Sequence, residues 1–360
     1  MTDLAPLGWD AERQSQFVEH EAQGLVPGRV AVQHRGAYDV LTEGGELRCE
    51  VPQRLVRLSP SQADLPAVGD WVAVEPAEAG SGVIHAVLPR RTRFSRLAAH
   101  DPGSQTTHEQ VVAANVDVVF VVTSITDDLS ARRLERYLTL GWESGARPVV
   151  LLTKADLVDN PTPAIEEVST VAFGVPVHAV SVLTGVGLDA VLAELRPGET
   201  AALLGSSGVG KSTLVNTLLG EELLATQEVR SDGQGRHTTV RRELIRLPGG
   251  GLVIDTPGMR ELQLWVADHG LEEAFDDVTS LFAGCRFNDC GHESEPGCAV
   301  LAALADGGLT SERWDTYRKL ERELAALELR LDKRAQSEQR RRWRTMSKAS
   351  RARRREDGRG

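Results

Sequence analysis

Between residues 24 and 88 the apolar positions come in short alternating runs broken by turn residues. Arg29–Gln33, Tyr38–Thr42, Glu46–Val51, Trp71–Val74 and Val83–Val87 read as five strands, with Glu43-Gly44-Gly45 and Gly69-Asp70 as breaks. Five short strands in so compact a stretch predict a small closed barrel of the five-stranded oligonucleotide-binding (OB) type. From Val111 onward the rhythm changes to β-rich runs separated by amphipathic stretches. Val116–Val122, Val149–Leu152, Val177–Val180, Ala201–Leu204 and Leu252–Ile254 are continuous apolar segments of the kind that form buried parallel strands. Further on, Trp314, Tyr317, Leu320, Leu324, Leu327 and Leu331 recur at three- and four-residue steps, which predicts a helix with one apolar packing face. The expected division is an N-terminal extension (1–23), a barrel (24–95), a linker (96–110), an α/β sheet domain (111–264), a helical domain (265–335) and a basic tail (336–360).

Composition adds little to this picture and removes some alternatives. A hydrophobic content of 41% with 26% charged residues excludes a wholly disordered chain. No apolar run approaches the ~20 residues of a membrane helix, and the start MTDLAPLGWDAERQ has no secretory pattern, so a cytoplasmic protein without a membrane partner is expected. Charge is more informative. Residues 330–360 hold 13 Lys/Arg against 4 Asp/Glu, whereas the whole chain carries −11, so a basic end is attached to an acidic body. That asymmetry suggests a polyanionic partner met through the tail; a solvated terminus is the plain alternative. Arg90, Arg91, Arg93 and Arg96 around Phe94 invite a similar pair of readings, a phosphate grip with a stacking ring or a solvated linker.

The sharpest chemistry lies in Gly205-Ser206-Ser207-Gly208-Val209-Gly210-Lys211-Ser212-Thr213. A strand-like run precedes it and a helical one follows, the setting a phosphate loop needs. Its glycines let backbone N–H groups turn inward around an anion, and the helix N-terminus adds positive potential. Lys211 would reach the terminal phosphates of a nucleoside triphosphate, and the Ser212 hydroxyl would hold Mg²⁺. Upstream, the run ending at Leu152 passes into Thr153-Lys154-Ala155-Asp156. An aspartate at a strand end can accept hydrogen bonds from guanine N1–H and the exocyclic amine, while the lysine stem lies along the base. This turn resembles the guanine-specificity motif of GTPases, with Thr in the first place, and Ser181-Val182-Leu183-Thr184-Gly185 resembles the second guanine loop. Downstream, Asp255-Thr256-Pro257-Gly258 can hold Mg²⁺ through Asp255 and meet the γ-phosphate through the Gly258 amide. Thr238 and Thr239, in the Gly-rich Gly233–Thr239 stretch, are candidates to complete the Mg²⁺ shell.

The guanine motif precedes the phosphate loop, the reverse of ordinary GTPases. Sheet packing tolerates such a permutation where the old ends lie close together. The chain then continues from the γ-phosphate loop into Cys285-x4-Cys290-x-His292-x5-Cys298. Three thiolates and an imidazole at that spacing form a closed tetrahedral set, so one structural Zn²⁺ is expected. The barrel, the permuted motifs and the Cys/His knuckle with its helical tail together resemble the ribosome-small-subunit-dependent GTPase A family. The resemblance implies a GTPase acting in late maturation of the small ribosomal subunit, stimulated by that particle, with barrel and zinc domain on ribosomal RNA. A monomer is expected. Met259 stands where many GTPases place a water-orienting glutamine, so His237 becomes the candidate for that role, with Lys211 beside it in catalysis. The competing readings are a P-loop ATPase and a non-enzymatic, GTP-switched RNA-binding adaptor.

Overall fold

The computed structural model describes residues 3–59, 61–97, 109–126, 129–220, 242–255 and 268–327. The five early strands are β1 (Val26–Gln33), β2 (Tyr38–Thr42), β3 (Gly45–Glu50), β4 (Trp71–Pro76) and β5 (Ser81–Val87), with a short helix α2 (Gln53–Leu58) between β3 and β4. β1, β2 and β3 form a meander, β3 pairs in parallel with β5, and β4 joins β5 to β1. The β1–β2–β3–β5–β4–β1 circuit closes an OB barrel, as the strand spacing predicts. Its interior is filled by Val30, Val40, Cys49, Val72, Val74 and Ile84. Closure leaves these side chains no solvent face, which accounts for the isolated Cys49 being a buried packing residue.

Both ends of the expected linker lie in strands. β6 (Arg93–Leu97) pairs antiparallel with β7 (Glu109–Ala114), so the stretch returns on itself as two paired strands. The phosphate-grip reading of its start fails at three residues. Phe94 is buried and cannot stack a base. The Arg90 guanidinium lies against Asp70, with Nε–Oδ1 and Nη2–Oδ2 both at 2.7 Å, and also donates to the carbonyls of Ala63 and Leu65. Arg91 reaches Asp10 and Glu12. A buried charge needs such partners, and Asp70 is too distant in sequence for a local reading to connect it with Arg90. Arg93 remains largely exposed, and Arg96 bonds Gln110.

Then follow β8 (Val118–Ser124), α3 (Ala131–Glu143), β9 (Arg147–Thr153), α4 (Thr162–Ser169), β10 (Val177–Ala179), α5 (Leu188–Ala193), β11 (Thr200–Leu204), α6 (Lys211–Leu219), β12 (Glu243–Arg246) and β13 (Leu252–Asp255). β10, β9, β8, β11 and β13 are parallel neighbours in that order, and β12 is antiparallel to β13. β12 also pairs with β1 through Val32 and Glu243, so barrel and parallel sheet share one continuous hydrogen-bonded ladder. All seven residues of β8 are buried, as expected of a central strand covered on both faces.

The N-terminal extension is part of the core. α1 (Ala11–Glu21) is capped by Asp10, whose side chain accepts from the Arg13 amide. Leu4, Leu7 and Phe17 are buried beneath it, and Trp9 meets Trp71 edge-on at 4.8 Å. Arg29, from the barrel, donates to the carbonyls of Leu7, Gly69 and Asn115 and to the Thr200 hydroxyl, fastening N-terminus, barrel and sheet together. Beyond the sheet come α7 (Asp268–Ala274), α8 (Asp276–Thr279), α9 (Ala299–Asp306) and a helix over 311–327, here α10. The apolar stripe of α10 packs as expected, with Tyr317, Leu320 and Leu324 buried. Arg313 ties α10 to Glu135 of α3 at 2.8 Å and to Asp277 at 2.7 Å, its guanidinium 4.0 Å from the Phe275 ring centre.

Candidate nucleotide site and metal centre

The parallel strands all point their carboxyl ends to the same side, and the loops with candidate chemistry leave from that edge. An open α/β sheet presents its ligand contacts there. The phosphate loop follows β11. Gly205 has φ +147°, and a Cβ at this position would lie 2.1 Å from the Val122 carbonyl of β8, so only glycine fits. Gly210, at φ +97°, occupies the N-cap of α6 and turns the chain into the helix. Lys211 and Ser212 open that helix beside Thr213. The Lys211 ammonium donates to the Gly205 and Ser206 carbonyls, at 2.7 and 2.5 Å, so it already spans the mouth of its own loop.

The Thr153–Asp156 turn, the candidate base reader, follows β9, two strands away across β8. Thr153 is buried, and its hydroxyl lies 2.6 Å from the Val209 carbonyl of the phosphate loop. Lys154 adopts the left-handed region at φ +59°, which turns the chain sharply and leaves the lysine exposed. The Ala155 amide bonds the Val180 carbonyl at 3.1 Å, joining this turn to the next loop. The exposed Asp156 accepts at Oδ1 a 2.6 Å hydrogen bond from the buried Ser181 hydroxyl, which in turn accepts from the Thr184 amide. One oxygen of Asp156 is thereby oriented from below, and the carboxylate stands at the surface between the two loops. The third element is less complete. β13 ends at Asp255 beside β11, but the Asp255 side chain, Gly258, Met259, His237, Thr238, Thr239 and the basic tail lie outside the described residues.

The second cluster is built by one compact turn. The ligand atoms of Cys285, Cys290, His292 and Cys298 all lie within 4.8 Å of one another. Cys285 Sγ is 3.9 Å from Cys298 Sγ and 3.6 Å from His292 Nδ1, which is 3.4 Å from Cys298 Sγ. A tetrahedron with metal–sulfur bonds of ~2.3 Å has edges of about 3.8 Å, so the four groups fit a single cation. His292 is in the left-handed region at φ +56° and stacks on Phe282 at 4.4 Å. The Ala299 amide, at the start of α9, points to Cys285 Sγ at 3.4 Å. Desolvation opposes ionisation of Cys285, yet the Ala299 amide and the Cys298 thiol outweigh it and bring its pKa below the usual thiol range. Cys290, opposed by desolvation and the neighbouring thiols, is pushed up to about 11. A bound cation would offset the mutual repulsion that opposes ionisation of Cys290 and let the sulfurs bind as thiolates. Between the ligands, Glu295 accepts from the amides of Ser294, Glu293 and Gly291, bonds that hold its pKa down to about 2 and brace the turn.

The sequence profile described as RsgA GTPase matches residues 87–265. A Streptomyces avermitilis protein named small ribosomal subunit biogenesis GTPase RsgA is 46% identical over 351 residues, covering 94% of this chain and 90% of that protein. The chain belongs to the RsgA GTPase family. An Opitutus terrae protein of the same name is also 46% identical, with 99% of each chain covered. Among solved structures, YjeQ from Thermotoga maritima superposes with a TM-score of 0.62 at 28% identity, over 84% of this chain and 99% of that one. YloQ, described as a circularly permuted GTPase, shares the fold with a TM-score of 0.60. The chain is accordingly an RsgA-type GTPase with its motifs in permuted order, as the sequence resemblance implies. Local motifs revealed both clusters. They did not reveal what Thr153 touches, nor that Arg13, Arg29 and Asn115 knit the N-terminus to the sheet, although the apolar Leu4, Leu7, Trp9 and Phe17 were a signal that residues 1–23 have something to bury.

Proposed function

We propose that this protein binds the small ribosomal subunit late in its maturation and hydrolyses GTP to GDP and phosphate there, with the subunit stimulating turnover. The observation that carries this reading is the meeting, at one sheet edge, of a phosphate loop after β11 with base-reading loops after β9 and β10. The name borne by the relatives supports the choice of particle. In this reading the amides of Gly205 through Gly210 hold the phosphates with Lys211, and Ser212, Asp255 and Thr238 or Thr239 face Mg²⁺, with Thr213 beside Ser212. Held by these residues, Mg²⁺ would supply positive charge to neutralise charge developing in transfer. Asp156 reads guanine, flanked by the Lys154 stem, the Ala155 amide and the Ser181 loop, while Gly258 senses the γ-phosphate. His237 is the residue proposed to orient the attacking water. Zn²⁺ is proposed for Cys285, Cys290, His292 and Cys298 on the chemistry of the donors.

The barrel, the zinc knuckle and the tail would meet ribosomal RNA, within the domain division expected from sequence. We place the protein in the cytoplasm as a monomer; among the described residues no helix is long and apolar enough to cross a membrane. The test is GTP turnover with and without purified small subunits, using Lys211→Ala as control. Stimulated turnover that Lys211→Ala abolishes is expected. Equal competition by ATP would favour an ATPase, and binding without turnover a switched adaptor.

A further inference from the structure

We propose that the cavity where the N-terminal segment, the barrel and the parallel sheet meet binds a small organic monocarboxylate, its carboxylate held by Arg13 and its planar body lying against Trp9 and Trp71. The cavity has a volume of about 320 Å³, at the small end of the range for ligand sites. Asp117, just before β8, and Glu199, just before β11, are part of its wall. The site thus lies at the amino ends of these strands, across the sheet from the phosphate loop, and it does not depend on the nucleotide reading.

Two guanidiniums point to the ligand. Arg13 is 1% exposed and Arg29 2%, and neither meets a carboxylate at ion-pair distance among the described residues. Their acceptors are neutral. Arg13 donates from Nη1 to Gln16 and the Pro89 carbonyl, and from Nη2 to Asn115 Oδ1 at 2.6 Å. Arg29 has three carbonyls and the Thr200 hydroxyl. A buried charge ordinarily has an opposite charge beside it. Here desolvation pushes Arg29 down to about 10 in spite of Asp117, Arg13 adds to the depression, and desolvation lowers Arg13 as well. Arg13 Nε is the one buried side-chain nitrogen or oxygen among the described residues without a hydrogen-bond partner. Nε–H and the second proton of Nη2 form one edge of the guanidinium, two parallel donors that match the two oxygens of a carboxylate.

The acids on the wall limit the charge that can enter. Asp10 is paired with Arg91 and accepts from the Arg13 amide. Asp117 accepts from the Thr200 amide at 2.8 Å, and Glu199 from the Arg196 amide at 2.9 Å. With donors already supplied, these carboxylates repel a dianion more than a single charge, which favours a carboxylate over phosphate. Trp9 and Trp71, edge-on at 4.8 Å, offer apolar surface to a flat body, and the half-buried Trp9 and exposed Asp10 place the entrance at the surface.

The probes are benzoate, benzyl alcohol (the same ring without the charge), acetate and inorganic phosphate, added to the full chain. NMR follows the Trp9 indole N–H and the Arg13 Nε–H, while the amides of residues 208–211 report separately on anions at the phosphate loop. Benzoate should move both cavity signals saturably, with a Kd about tenfold or more below that of benzyl alcohol, as expected for a charge-assisted hydrogen bond. Acetate and phosphate should bind there more weakly than benzoate. Arg13→Lys keeps the charge but loses the two-donor edge, and should weaken benzoate by about tenfold. No saturable movement of the Trp9 and Arg13 signals would overturn the proposal. So would equal binding of benzoate and benzyl alcohol, tighter binding of phosphate or acetate than of benzoate, or unchanged benzoate affinity in Arg13→Lys. Should Arg13→Lys not fold, the four affinities of the parent decide.

Discussion

Arg90 offers the clearest separation between a structural arginine and one that grips RNA. Its side chain is 12% exposed and that of Asp70 is fully buried, and the two share a bidentate contact with both distances at 2.7 Å. Arg90→Met would leave Asp70 with the Ala67 amide, 2.8 Å away, as its remaining hydrogen-bond partner among the described residues. A buried carboxylate deprived of its cation costs about 3–5 kcal/mol, between roughly a hundredfold and a few thousandfold in the folding equilibrium. Pairing Arg90→Met with Asp70→Asn removes the stranded charge while keeping an acceptor for Ala67. The double variant should therefore recover much of the loss. The assay is urea unfolding followed by tryptophan fluorescence, since Trp71 is buried in the same barrel. RNA binding across a salt series is measured alongside. Arg90→Met should leave the salt slope unchanged, whereas Arg93→Gln, at an exposed position, should reduce it by about one if Arg93 meets a phosphate. A stable Arg90→Met protein with a flattened slope would refute the reasoning and return Arg90 to the RNA-binding surface.

Three more outcomes are expected. Asp156→Asn should shift preference from GTP toward XTP, measured as the ratio of the two affinities; an unmoved ratio removes Asp156 as base reader. Cys290→Ser should lower the zinc content from one ion per chain toward zero by metal analysis, and equal zinc in both proteins would exclude Cys290 as a ligand. Glu194 shows a pH effect: desolvation raises its pKa, but hydrogen bonds from His178 and Arg147 outweigh that and bring it below the usual glutamate value. A folded pKa below the unfolded one gives stability that is present above the unfolded value and lost as pH falls through the folded one. Glu194→Gln should therefore lose less stability than the parent between about pH 5 and pH 3; parallel curves would reject that contribution.

The outcomes at Gly205, Asp156, Phe94 and Arg90 divide along a physical line. The phosphate loop, the Thr153–Asp156 turn and the Cys285–Cys298 knuckle were legible because each depends on backbone geometry or ligand spacing within a few residues. A glycine needed at φ +147° or a histidine two residues past a cysteine leaves a mark in the local order of the chain. The barrel was legible for a related reason, since strand length and turn residues are local, and closing the strands on themselves removes exposed edges. Tertiary structure decided matters that depend on distant partners. The Arg90–Arg96 run looked like a solvated or RNA-facing linker until Asp70, Asp10 and Glu12 were brought against it and Phe94 turned inward. The polar N-terminal stretch looked like an appendage until Arg13 and Arg29 found carbonyls and Asn115 at the barrel–sheet junction. Thr153 was legible only as the first residue of a base-specificity motif, and the packing of β9 beside the phosphate loop directed its hydroxyl to Val209. Burial changes what a charge or hydroxyl must do, because a polar group removed from water needs a partner, and the fold determines which partner is within reach.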